Sequence, residues 1–197
     1  MNPRTQLVID ELARHRRQFE HLCLSLSYGE QRAVIPGSHW TVKDYVAHLA
    51  TIDALIAGAF SRGRGFEVEP PDVPVTAPFD IDDWNEAAVR HRESASMAEL
   101  LERAAIHRAD MVRCIEQMTD EDLDRIIPYG GDRKSLGLAP TNVRFGGLLW
   151  GIAIHDTTHT RDILRALPER REEAWLNEWL SSVNDSLIPQ GVREQRV

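Results

Sequence analysis

TNVRFGGLLWGIAIHDTTHTRDILRAL, residues 141–167, contains no proline and closes immediately before Pro168. On a wheel of about 100° per residue, His155 and His159 share a face with Leu148, Ile152 and Ile163. The spacing predicts one helix over 141–167 that turns two imidazoles toward a core. A single buried imidazole is satisfied by one hydrogen bond. Two stacked on an apolar face call for a common partner, and a metal ion satisfies both at once.

The core they face must come from the rest of the chain. Leu7, Leu12, Phe19, Leu22, Cys23 and Leu26 recur at near-helical spacing, which predicts a first helix from Pro3 to Tyr28. Pro3 suits a first turn and Gly29 an exit. Thr41 followed by Asp44 is a variant capping box. It opens a second helix whose stripe of Val42, Val46, Leu49, Ile52 and Ile56 runs to Phe60. Residues 61–79 are broken by Gly63, Gly65, Pro70, Pro71, Pro74 and Pro78. At about 3.3 Å per residue such a connection could span a helix, so the second and third helices are expected to run parallel, with the linker crossing outside. The third helix is predicted from Asp80 to about Met118. Thr119 with Asp122 then caps a short turn before Pro128. A loop is expected from Tyr129 to Pro140, and a last helix from Glu169 to Leu187. No alternating run of β-formers competes, and no internal repeat is evident. Residues 1–187 are read as a single helical domain, with a frayed tail over 188–197.

A third ligand is found in the second helix. His48, about two turns in, lies at the edge of the apolar stripe beside Ile52 and Leu55, a position that suits a cleft between helices. By itself, a helix-boundary histidine bonded to a carbonyl would be the favoured reading. Three neutral imidazoles leave coordination positions open, as catalytic sites do. Nitrogen donors favour zinc, with nickel or iron as alternatives, over magnesium or calcium. The other histidines, His15, His21, His39, His91 and His107, have no partner by spacing and are read as solvated or capping.

Composition narrows the function classes. The net charge of −8, with arginines interleaved among acids, argues against nucleic-acid binding, which needs a basic surface. No apolar run reaches the roughly 20 residues of a membrane span. Cys23 and Cys114 form no CxxC pair and are expected to be buried free thiols in a cytoplasmic protein. Among the 23 basic residues only Lys43 and Lys134 are lysines, a coding bias of GC-rich genomes.

Three motifs together carry a resemblance over roughly residues 5–167. They are Trp40-Thr41-Val42-Lys43-Asp44 through Ala47-His48-Leu49; Phe79 through Trp84-Asn85-Glu86 with Val89, Arg92 and Ser96; and His155-x-x-x-His159 with Arg161-Asp162. In their order and spacing the chain resembles the DinB/YfiT-like metalloenzyme superfamily, which includes the N-terminal domain of mycothiol-dependent maleylpyruvate isomerases. The resemblance implies an all-α, up-down-down-up four-helix bundle with an additional C-terminal helix. It also implies a metal site on His48, His155 and His159. His155 stands where the isomerase-like branch often has Glu, placing the chain nearer the broader DinB-like group. The implied activity is that of a metal-dependent S-transferase or isomerase acting on a small molecule, with mycothiol or a similar low-molecular-weight thiol as cosubstrate.

Two other functions compete. His155-Asp156-Thr157-Thr158-His159 is a short-armed relative of the HExxH motif of metallohydrolases, with Asp156 in the place of the general base. A non-catalytic metal-binding bundle of the stress response is the other. Asp162, one turn beyond His159, is a candidate hydrogen-bond partner for its outer nitrogen, or else a surface ion-pair partner of Arg161 or Arg165. Trp40, Trp84 and Trp150 could line a pocket or fill the core. Trp175 and Trp179, four apart in the last helix, suggest an aromatic face and a homodimer.

Overall fold

A computed structural model describes residues 2–62, 65–129 and 141–183. The loop expected to end at Pro140, the end of the last helix at Leu187 and the tail over 188–197 lie outside the described residues.

The main helices are α1 (Pro3–Ser25), α3 (Val42–Ser61), α5 (Met97–Glu116) and the pair α7 (Phe145–Ala153) and α8 (His155–Ala166). Shorter helices join or flank them: α2 (Tyr28–Gln31), α4 (Ile81–His91), α6 (Asp120–Asp124) and α9 (Ala174–Ser181), the last preceded by a 3-10 turn over Pro168–Glu172.

Side-chain pairings fix the directions. Along α1, Val8 clusters with Ala57 and Phe60, Arg16 meets Asp53, and Phe19 clusters with Val42 and Val46, so α1 and α3 are antiparallel. Lys43 Nζ donates to the Glu93 carbonyl, Asp53 pairs with Arg108, and Phe60 clusters with Ile115. These pairings rise together, so α3 and α5 are parallel. Val8 with Leu149, Arg16 with Asp156 and Phe19 with Ile163 make α8 parallel to α1. The order is up-down-down-up.

The structure corrects several boundaries. The predicted third helix is two helices. Ser96 and Glu99 form a full capping box that starts α5 afresh, satisfying the amide groups that a new helix leaves open. This changes the crossover. Phe79 and Ile81 pack beside Leu55 and Ile56, Trp84 and Ala88 beside Ile52, and Trp40 Nε1 donates to Glu86. Helix α4 therefore runs back along α3, and it makes the return that the linker alone was expected to make. The linker is pinned meanwhile: the Glu69 amide donates to Asp110 (2.7 Å), Arg103 to Glu69 (2.5 Å), and Trp84 Nε1 to the Val73 carbonyl (3.1 Å).

Helix 141–167 is also divided. Thr141–Arg144 is a strand, β2, paired antiparallel with β1 (Ile126–Tyr129), with Ile126 opposite Arg144 and Tyr129 opposite Thr141. Ile126, Ile127 and Val143 are β-branched and fit a pleated surface, and Pro128 is tolerated at a sheet edge. The first helix ends at Ser25, because Ser27 and Glu30 form a capping box that starts α2.

The aromatic pair of α9 packs on its own bundle. Leu176 and Trp179 are buried in the cluster of Phe19, Leu22 and Leu167, Trp175 lies half-buried against it, and the Trp179 indole donates to His15 Nδ1 (2.9 Å). The outward aromatic face that motivated a dimer is thus turned inward. No helix among the described residues is long and apolar enough to cross a membrane.

Candidate metal centre

The Thr41–Asp44 capping box forms as expected and fixes the start of α3, which carries His48 inward. The buried His48 lies opposite α8. Helix α7 stops at Ala153 and α8 begins at His155, with Ile154 between them at φ −99° and ψ 10°. The Ile154 carbonyl accepts from the Thr157 hydroxyl (2.7 Å) and the Thr158 hydroxyl (3.3 Å). Threonine hydroxyls bonded back to a carbonyl weaken the helix ladder, and the break between α7 and α8 falls one residue before His155.

The structure brings all three predicted ligands together. Ring centroids are 5.0 Å apart for His48–His159, 5.5 Å for His48–His155 and 4.6 Å for His155–His159. One nitrogen from each ring lies within 4.8 Å of the others. Nε2 of His155 and Nε2 of His159 are 3.0 Å apart. Nitrogens bound at about 2.0–2.1 Å to one ion sit about 2.9–3.4 Å from each other, so this pair is spaced for a shared ion. His48 Nδ1 and Asn85 Oδ1 are both buried and make no hydrogen bond of ordinary geometry. Burial, reinforced by nearby His159, pushes the His48 imidazole well below its ordinary pKa, against a smaller opposing influence of Asn85. His48 is therefore neutral at physiological pH, the form that a metal takes. By donor type, spacing and protonation, the residues present fit a divalent transition-metal ion.

Asp162 does what its spacing allowed. Its Oδ2 lies 3.2 Å from His159 Nδ1, while Oδ1 lies 3.8 Å from Arg165. Arg161 turns away to donate to the Leu180 carbonyl. With Nδ1–H donating to the carboxylate, Nε2 of His159 presents its lone pair to the centre.

Asp156 is in a different place from the one HExxH-like chemistry requires. It is fully buried and bonded to Arg16 (3.0 Å to both Nε and Nη2) and to Arg108 (3.2 Å). Burial would raise its pKa, but Arg108 and Arg16 outweigh that and hold it below the usual carboxylate value. It faces the bundle interior as a fixed anion and is no general base for the histidine cluster.

The three histidines open on a cavity of about 810 Å³ between α3, α4 and the α7–α8 pair. Trp40 and Tyr45 wall the histidine end: Trp40 lies 5.6 Å from the His48 ring, and Tyr45 lies 5.2 Å from the His159 ring. Of the three candidate pocket tryptophans only Trp40 lines the cavity; Trp84 is core and Trp150 packs among apolar clusters. Burial, then the Asp162 charge, raises the Tyr45 pKa, so its phenol stays a proton donor. Asn85, Asp82 and Thr158 also reach the cavity.

The remaining histidines divide. His39 (paired with Glu86 at 2.6 Å) and His91 are exposed, and His21 is exposed beside Trp175, as expected. His15 and His107 are buried, contrary to the solvated reading. Burial, then Arg14, lowers His15 to about 4, leaving Nδ1 free to accept from Trp179. Burial, then Arg103, lowers His107. Both sit on faces of long helices that adjacent charges make look polar in sequence.

A comparison with curated proteins finds no match. The sequence model of the DinB superfamily matches residues 11–163, which take in His48, His155, His159 and the helices that carry them. The chain belongs to the DinB superfamily.

Proposed function

We propose that the protein is a cytoplasmic metal-dependent enzyme that uses a low-molecular-weight thiol, mycothiol or a similar compound, to transfer sulfur to a small organic substrate or to isomerise it. The observation that carries this reading is the convergence of His48, His155 and His159 at one end of a large cavity. Zinc is the proposed ion, with nickel or iron as alternatives. When bound, the ion supplies a Lewis acid that favours a thiolate at neutral pH.

The chain's own thiols cannot serve as that nucleophile. Cys23 and Cys114 are buried, and burial raises the Cys23 pKa far above its ordinary value. A sulfur nucleophile must come from outside, which supports a thiol cosubstrate. In transfer, the thiol proton passes to solvent and sulfur bonds to an electrophilic carbon. The displaced group leaves with its electron pair. In isomerisation, sulfur adds to an activated double bond, the former double bond rotates, and sulfur is expelled. His48, His155 and His159 hold the centre, Asp162 keeps the His159 lone pair inward, and the Tyr45 phenol is placed to donate a hydrogen bond to a developing anion. The metallohydrolase alternative loses its base, because Asp156 is committed to two arginines.

Elemental analysis, followed by an S-conjugation screen with mycothiol and other thiols, tests the reading. Near one equivalent of metal and metal-dependent thiol consumption are expected. His48→Ala should lose tight metal binding, because two histidines under-coordinate the ion, whereas exposed His91→Ala should not. Full metal stoichiometry in His48→Ala would refute the ligand set. Metal binding without any conjugation would favour the non-catalytic bundle.

A further inference from the structure

The cavity is long as well as large. Along α3 and the Arg62 that caps it the lining runs from Tyr45 to Arg62, and on the α7–α8 pair from Leu148 to Arg165. His48 faces His155 and His159 near one end, and Phe60 lies edge-on to Phe145 (5.3 Å) at the other. The two walls are therefore antiparallel. From His48 to Ala59, helix α3 rises about 16 Å at 1.5 Å per residue. Over that length the helix lines the cavity with Ile52, Leu55, Ile56 and Ala59, and α7 faces it with Leu148 and Ile152. Most of the polar lining, Tyr45, Asn85, Thr158 and Asp162 with the histidines, lies at the histidine end, and Asp82, Tyr129 and Arg62 are the polar groups along the rest.

A site for a compact polar substrate would need neither this length nor this aliphatic wall. From the length and the aliphatic lining of the trough, we infer that the substrate is an elongated amphiphile whose reactive head lies at the histidines and whose aliphatic chain runs along α3 toward Phe60. This rests on the metal-centred reading for the head and on the trough alone for the chain. At carbon–carbon geometry, about 16 Å accommodates roughly ten to twelve methylenes.

The test is calorimetric titration with straight-chain alkyl hydroxamic acids of four to fourteen carbons, whose heads ligate metals, on protein with and without added zinc. In both states each methylene should tighten binding about fourfold, and the gain should stop near ten to twelve carbons. Ala59→Trp should move that limit to shorter chains. Ala59 is exposed, so this variant is not expected to disturb the core, and Ala59→Ser should leave the limit in place. Affinity independent of chain length in both states overturns the inference, as does an unchanged limit in folded Ala59→Trp. A chain-length slope without any zinc effect supports the chain site and counts against the metal-centred function, so the two can fail separately.

Discussion

Asp162 decides which nitrogen of His159 faces the cavity. Its carboxylate accepts from Nδ1 at 3.2 Å, and its other oxygen is only loosely paired with Arg165 at 3.8 Å. An exposed pair of that kind is worth at most about 1 kcal/mol, so the fold does not depend on it. The imidazole does: without the carboxylate, the ring can turn and its tautomer is no longer fixed. Asp162→Ala should therefore weaken zinc binding by about 10–100-fold while leaving thermal stability nearly unchanged, as read by competition with a chromophoric chelator and by a melting curve. Undiminished zinc affinity would remove Asp162 from the site. Much of this centre was legible from the i, i+4 spacing of His155 and His159 and from the edge position of His48, because helical periodicity assigns faces. The role of Asp156 was not. It is adjacent to His155 in sequence, yet successive residues on a helix point about 100° apart, and only the positions of α1 and α5 reveal the arginines that hold it.

Element boundaries were legible where a side chain caps its own helix. Thr41 with Asp44 and Thr119 with Asp122 start helices as their pattern indicates. Ser96-Met97-Ala98-Glu99 carries the same signature, but it lies between two apolar stretches, around Trp84–Val89 and Leu100–Ile115, that were read as the two parts of one unbroken helix. The structure resolves the conflict for the cap. Ser96→Ala should cost about 0.5–2 kcal/mol, seen as a lower urea midpoint with an unchanged slope. No measurable loss would mean that packing alone starts α5 there. The division of 141–167 had weaker local signals. Gly146, Gly147 and Gly151 lower helix preference, but the hairpin of Ile126–Tyr129 with Thr141–Arg144 depends on pairing between distant segments. The break at Ile154 depends on hydroxyl orientations that periodicity does not encode. Both features serve the site: the hairpin precedes α7, and the break precedes His155.

At the scale of the whole molecule, one charge from each main helix meets at the bundle centre. Arg16 of α1, Asp53 of α3, Arg108 of α5 and Asp156 of α8 are all buried, and their contacts close a ring of alternating sign. Burial opposes every one of these charges, so the ring is stable only while complete. Breaking a buried pair typically costs about 3–5 kcal/mol, a large part of the roughly 5–15 kcal/mol that holds a domain folded. Asp156→Asn should lower the unfolding free energy by that order at pH 7, read from the urea midpoint and slope. Because His155 is the next residue, the variant should weaken zinc binding as well. The pH dependence separates this ring from the buried histidines. Asp156 has a folded-state pKa below its unfolded value, so its contribution is present above about pH 4 and is lost as pH falls through the folded pKa. His48 and His15 are also lowered in the fold. The unfolded chain therefore takes up their protons first, and stability declines as pH falls from about 6.5. Urea midpoints of wild type should fall in both ranges, whereas Asp156→Asn should retain the decline from about 6.5 and lose much of the one below about 4. A variant within about 0.5 kcal/mol of wild type at pH 7, with the acid decline intact, would show that the four helices are held by their apolar faces alone.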